Sequence, residues 1–226
     1  MRILSIGKTI QHDMLNITSI DESALSSQKD IDTFRYIIIN GGDGTIRRVI
    51  KTLHRMTYNA TFILNPTGSF NVIAKMHKVS KLEKVLQKLE KEESLQTEQH
   101  PYNSLNDEIF LFSAGNMGDV QHIFLSETLR FGILKEGILK YILAVLFLFP
   151  VHLIMTPFML LSSKKFFIFT PFSFIPNFGS FYGKVSEMEI DLENGYNHIE
   201  LDGDIVTITK SILTIKPAGE IDIIIG

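Results

Sequence analysis

The segment that most narrows the fold runs from Tyr36 to Leu53. A short β-branched run, Tyr36–Ile39, ends at Asn40-Gly41-Gly42-Asp43-Gly44-Thr45. Ile46, Val49, Ile50 and Leu53 then recur at i, i+3, i+4 and i+7, which puts four apolar side chains on one helical face. Strand, Gly-rich loop and helix in direct succession is a building unit of a parallel sheet. Three glycines in four positions leave backbone N–H groups uncovered and permit positive φ, so the loop can wrap an anion. The helix behind it aims a positive dipole end at the same point. Asp43 is surplus to a simple turn, but a carboxylate beside phosphates can hold Mg²⁺ or take a proton. An ordinary strand-to-helix turn is the plainer reading; the acid set among the glycines favours phosphate.

The neighbouring sequence repeats the alternation. Ile3–Ile6 and Thr61–Leu64 read as further strands, the second stopped by Asn65-Pro66-Thr67-Gly68. Val72, Ile73 and Met76 suggest a short helix, and Val79, Leu82, Val85, Leu86 and Leu89 a longer one. Past Pro101 the pattern changes. Glu108–Phe112 reads as a strand and Ser113–Gly118 as a Gly-bearing loop, and a helical tract follows from about Asp119 until Pro150 stops it. From Lys165 onward the pattern is mainly β: Met188, Ile190 and Leu192 alternate with acids, as Ile199 and Leu201 alternate with His198, Glu200 and Asp202. Ile212–Lys216 and Ile221–Ile225 read as closing strands. The expectation is an α/β domain over residues 1–101 and a β-rich, sandwich-like domain with a Phe-rich helical tract over residues 102–226.

Charge and composition remove several function classes. Lys plus Arg is 22 against 25 Asp plus Glu, a net charge of −3, so no basic excess exists to hold a nucleic-acid backbone. Without Cys there is no disulfide framework, thiolate zinc site, iron–sulfur cluster or cysteine nucleophile. The 7 histidines form no pair at metal-ligand spacing, and no Gly-x-Ser-x-Gly elbow is present. Met1–Gly7 is too short an apolar run for a signal peptide, which sets a cytoplasmic location as the expectation.

Asn40–Thr45 resembles the nucleotide loop of the diacylglycerol and sphingosine kinase-like lipid kinases, whose signature is Gly-Gly-Asp-Gly-Thr. The resemblance continues in order along the chain. Pro66-Thr67-Gly68-Ser69-Phe70-Asn71-Val72-Ile73-Ala74 is similar to the family's Pro-x-Gly-Thr-x-Asn-Asp-x-Ala, and Leu201-Asp202-Gly203-Asp204 to its late Asp-Gly-Glu motif. The resemblance implies a fold shared with NAD kinase and an ATP- and Mg²⁺-dependent transfer of phosphate to a lipid hydroxyl, in a cleft between the domains. It implies nucleotide contacts from Asn40, Gly41, Gly42, Gly44, Thr45, Gly68, Ser69 and Asn71. Asp43, Asp202 and Asp204 are the implied catalytic acids, Asp43 also holding the metal. A lipid substrate and peripheral membrane contact follow as partners, with no nucleic acid; the oligomeric state stays open, a homo-oligomer included. The chain departs from the pattern at Val72, where the family has Asp, and at Arg47-Arg48, where it has Asn-Glu. Only Gly7-Lys8 stands near the family's first phosphate loop. Two alternatives therefore remain, a catalytically silent nucleotide- or lipid-binding homologue and an NAD kinase-like enzyme. Asp202-Gly203 is also a common hairpin-turn dipeptide.

Two surface features complete the reading. Arg47, Arg48, Lys51, His54 and Arg55 share the face opposite the helix's apolar stripe, as a solvated face or as a contact for phosphates or anionic headgroups. Tyr141–Ser163 contains no charged residue and is long enough to span a bilayer, but Pro150 and Pro157 divide it. A core helix followed by an extended segment, a lipid cleft or membrane-docking surface, and a true span are the three readings of that tract, in that order.

Overall fold

A computed structural model describes residues 1–117 and 139–225, with the side chains of residues 139–141, 144, 151 and 152 outside the description. The chain forms two compact units, one of residues 1–102 with 219–226 and the other of residues 103–218.

The first unit is built on a parallel sheet. β1 (Arg2–Ile6), β2 (Asn16–Ile20), β3 (Tyr36–Gly41) and β4 (Thr61–Pro66) lie in the order β2-β1-β3-β4, every pairing parallel. The helices are α1 (Asp43–Leu53), α2 (Val72–Met76) and α3 (Leu82–Glu90). α1 buries Ile46, Val49, Ile50 and Leu53, the stripe that its spacing predicts. α3 packs Val85, Leu86 and Leu89 against Ile3, Ile38 and Ile63 of the sheet. Beyond β4 the sheet adds β14 (Ile212–Ile224), Ile223 pairing parallel with Phe62, and then β5 (Thr97–Leu105). Residues 219–226 thus complete the first unit, whereas the sequence reading gave the tail to the second; buried Ile221, Ile223 and Ile224 are what tie it there. Ile212–Lys216 and Ile221–Ile225 are one strand rather than two, and β5 runs on through Pro101, with the division between the units just after it at Tyr102.

The order of these strands fixes where a ligand can enter. The chain passes from β1 outward to β2, then returns to place β3 on the other side of β1. At such a reversal the loops leaving the carboxyl ends of the two inner strands turn in opposite directions and open a crevice. Those loops here begin at Gly7 and at Gly42. Gly7 holds φ +86, with its N–H bonded to the Ile20 carbonyl (3.0 Å).

The second unit is β-rich. β6 (Glu108–Phe110) pairs with β5; β7 (Ser113–Gly115), β8 (Phe167–Phe169), β9 (Asn177–Phe178), β10 (Phe181–Tyr182), β12 (Asn197–Leu201) and β13 (Asp204–Ile208) form a sheet ordered β13-β12-β7-β8-β10-β9. β11 (Met188–Asp191) pairs antiparallel with the first half of β14. The core includes Phe110, Phe166, Ile168, Ile199, Leu201 and Leu213. Ser113–Gly115, read as a loop, is a strand because it pairs with β12 on one side and β8 on the other.

The long helix α4 runs over Leu139–Leu160 and passes through both Pro150 and Pro157. The expected stop at Pro150 is therefore corrected. Each proline removes one N–H, a local cost of about 3 kcal/mol, and the flanking Leu, Phe and Met residues carry the helix on. The earlier part of the expected tract, residues 118–138, lies outside the described residues.

Candidate functional site

Glycine is required in the first motif by close approach rather than by unusual torsions. None of Gly41, Gly42 and Gly44 has positive φ, which corrects the expected reason for them. A Cβ on Gly42 would stand 3.0 Å from the Cα of Gly68, and a Cβ on Gly68 would stand 2.7 Å from the Cα of Gly42. The two motifs, 26 positions apart in the chain, meet backbone to backbone. A Cβ on Gly41 would overlap the Thr45 side chain (2.4 Å), so that side chain lies over Gly41. Gly42 is the residue before α1, and Asp43, Gly44 and Thr45 form the first helical turn. The first intrahelical bond runs from the Ile46 N–H to the Gly42 carbonyl (3.1 Å), so the three preceding N–H groups lie at the open end of the helix.

Asp43 joins the motifs a second time. Its carboxylate accepts from the Val72 N–H (2.8 Å) and the Ile73 N–H (3.1 Å), the first two residues of α2. The position where the family pattern has Asp thus contributes its backbone donor. Asp43 is buried, and burial pushes its carboxyl above the ordinary 3.8, with the bonds from Val72 and Ile73 opposing the shift. Asn71 closes the loop between β4 and α2. It sits at φ 49, ψ 53, its Oδ1 accepting from the Gly68 N–H (3.0 Å) and its Nδ2 donating to the Gly68 carbonyl (2.6 Å). That ring holds Gly68 against Gly42. Ser69 and Phe70 are exposed beside it.

Below the loops an amide chain links three strand ends. Asn40 Nδ2 donates to Ser5 Oγ (3.0 Å) and to the Ile6 carbonyl (2.9 Å), and Asn65 Nδ2 donates to Asn40 Oδ1 (2.7 Å). Asn65 was not singled out from sequence, although Asn40 and Asn65 end their apolar runs and stand in direct register. Arg47 and Arg48 do not form the expected solvated face. Arg47 is buried, and Arg48 donates to both oxygens of Glu22 (2.6 and 3.1 Å).

A buried histidine pair also escaped the sequence reading. His77, at the end of α2, bonds Glu98 through Nδ1 (2.9 Å) and His100 Nδ1 through Nε2 (2.9 Å). The 23-residue separation of His77 and His100 gives no local signal; only the pairing of β5 into the first unit brings them together. Among the described residues no group of three His, Asp or Glu side chains is arranged to hold a metal ion.

In the second unit Asp202 and Gly203 form the two-residue turn between β12 and β13, at φ 50 and 90. Asp202 is buried, and its carboxylate accepts from three backbone N–H groups: Leu111 (2.6 Å), Phe112 (2.9 Å) and Ser113 (3.0 Å). Glu200 is buried too, contrary to the alternation read from sequence, because its Oε1 accepts from Ser113 Oγ (2.9 Å) and the Gly203 N–H (2.5 Å). Asp204, the first residue of β13, is half-buried.

Residues 8–99 match the family model of the diacylglycerol kinase catalytic domain. Among solved structures, one described as a diacylglycerol kinase from Bacillus anthracis str. Sterne has a TM-score of 0.57 at 12% identity, covering 100% of this chain and 96% of that one. A second from the same strain, assigned provisionally as a diacylglycerol kinase, has a TM-score of 0.56 at 13% identity with the same coverage. At such identities the likeness is one of fold. No curated protein matches the sequence.

Proposed function

We propose, from the premise that residues 8–99 resemble the diacylglycerol kinase catalytic domain, that this protein transfers the γ-phosphoryl group of ATP to the hydroxyl of a diacylglycerol- or sphingoid-type lipid. The observation that carries the reading is the backbone contact of Gly42 and Gly68, which joins the β4 loop to the β3 loop that borders the strand-order reversal. Two loops from the carboxyl ends of β3 and β4 meet there, and behind Gly42 the open end of α1 offers the N–H groups of Asp43, Gly44 and Thr45 to phosphate oxygens.

On this reading Gly41, Gly42 and Gly44 offer backbone donors, Thr45 a hydroxyl, and Asn40, Gly68, Ser69 and Asn71 line the nucleotide side. Mg²⁺ would arrive on the nucleotide phosphates, and Asp43, the carboxylate of the first motif, would hold it there. Bound there, Mg²⁺ would neutralise charge on the transferred group. Asp204 takes the proton of the lipid hydroxyl as its oxygen bonds to phosphorus, while the bond from phosphorus to the departing ADP oxygen breaks. Asp202, whose oxygens meet three backbone donors, positions the turn that precedes Asp204.

The test is labelled ATP and Mg²⁺ against a panel of diacylglycerols, ceramide and sphingosine, with NAD as a parallel acceptor. Transfer to a lipid supports the reading. Transfer to NAD alone replaces it with the NAD kinase-like alternative. One observation favours a second reading, the catalytically silent homologue: Asp43 and Asp202 both spend their oxygens on backbone N–H groups. Nucleotide binding by calorimetry without transfer to any acceptor would select it.

A further inference from the structure

We propose that α4 is a membrane anchor that embeds in one leaflet of a bilayer without crossing it. The inference stands on the second unit alone and does not depend on phosphoryl transfer.

The helix is apolar on every described side. Leu146 and Leu153 lie on one face, Phe147 and Phe158 on another, and Met155 and Val145 between them, all exposed. Leu153 and Phe158 are 68% and 67% exposed on these separate faces. A protein groove or a second copy of the chain covers a stripe of a helix and leaves the opposite face to water, where polar residues belong. Among the described residues of α4 no polar face exists to be left. The solvent that suits a helix apolar all round is hydrocarbon, which surrounds it. The surface extends beyond the helix: Phe178, 67% exposed, joins Phe149, Leu153, Pro157, Leu160 and Leu161 around an open, almost wholly apolar pocket of about 640 Å³.

Three observations keep the helix within one leaflet. The chain leaves the sheet at β7 and returns at β8, its neighbour, so both ends of the excursion belong to one side. The Leu160 carbonyl accepts from the Ser180 N–H (2.8 Å), which fastens the end of α4 to that sheet's β9–β10 turn. The helix is 22 residues, about 33 Å long, too long to stand upright in half a bilayer and therefore inclined within it. Finally, Pro150 and Pro157 deprive the Leu146 and Leu153 carbonyls of their helical donors. Near the headgroups water reaches such carbonyls; at the bilayer centre it does not. Among the described residues no helix is long and apolar enough to cross a membrane.

The full chain, purified in mild detergent and diluted into neutral phosphatidylcholine vesicles, tests this by flotation. The expected result is binding that persists in 1 M NaCl and falls by at least ~10-fold in Leu153→Glu and in Phe158→Glu, each losing one buried apolar side chain. Both sites are exposed, so the melting temperature in detergent should hold, which separates lost insertion from lost folding. The chain has no Cys, so Leu153→Cys accepts a single fluorophore. Its emission should be quenched by nitroxides placed shallow in the acyl chains of the facing leaflet and not by those of the far leaflet. Equal quenching from both leaflets overturns the proposal. So does failure of the wild type to float, whether the protein is then a monomer or a dimer that Leu153→Glu dissociates.

Discussion

Gly42 and Gly68 each occupy space that the other's side chain would need, and this changes what a substitution there reports. A Cβ on Gly68 meets Gly42 Cα, a backbone atom that cannot swing aside, at 2.7 Å, and it meets the Asn71 side-chain Oδ1 at 2.9 Å. Gly68→Ala should therefore lower stability by about 1–3 kcal/mol, the usual scale of overpacking, and weaken ATP binding with it. Calorimetry and thermal melts on the same sample check the pair, and an alanine variant as stable as wild type would show that the loops do not meet. Asp43 gives a prediction with a sign. Its folded value is raised, so its contribution to stability is full below the ordinary 3.8 and is lost as pH climbs through the folded value. Asp43→Asn removes that dependence. The melting temperature of the variant minus that of the wild type should rise with pH upward from about 4, and a flat difference would exclude the shift. At this scale the sequence announced Gly42, Asp43, Gly68 and Asn71 but not their packing against one another, because contact between distant motifs is visible only once β3 and β4 lie side by side.

Among the elements, α1 and α3 were legible because an amphipathic stripe is written into local spacing. β7 and β5 were not, since short strands with Gly, Pro and polar residues gain their structure from neighbours far along the chain. β14 shows the same dependence. Its first half pairs with β11 in the second unit and its last residues with β4 in the first. Nothing in the apolar run Ile221–Ile225 says which sheet it will join. Because Ile221, Ile223 and Ile224 are buried, a chain ending at Ala218 loses three core side chains at about 1.5–3 kcal/mol each. That is comparable with the whole stability of a small domain. The truncated chain should show lost amide protection in β3 and β4, and the full chain carrying Ile223→Ala a milder loss of about 2–5 kcal/mol. Hydrogen exchange read strand by strand distinguishes this from general unfolding, and unaltered protection in β4 would contradict the assignment of the tail.

For the molecule as a whole, the question is whether its carboxylates serve the fold or a reaction, and the late Asp pair separates the two. Asp202 is buried among the N–H groups of Leu111, Phe112 and Ser113, so its surroundings already account for it without any substrate. Asn in its place offers one acceptor where two oxygens served three donors, and turns an NH₂ group toward a backbone N–H. Asp202→Asn should therefore cost about 3 kcal/mol or more, on the scale of a broken buried charge-assisted network, and lower any activity only through the fold. Asp204 opens β13 half-buried, two residues further on. Asp204→Asn should move stability by less than about 1 kcal/mol and, if the protein is a kinase, reduce turnover by at least ~100-fold, as loss of a general base does. ATP affinity should stay near wild type in that variant. Should Asp204→Asn melt like Asp202→Asn, both acids belong to the hairpin and no base has been identified. Should both variants bind ATP as the wild type does, and the wild type itself transfer nothing to lipid or NAD, the crevice at the strand-order reversal is a binding site in a chain that has kept the loops of a kinase without its chemistry.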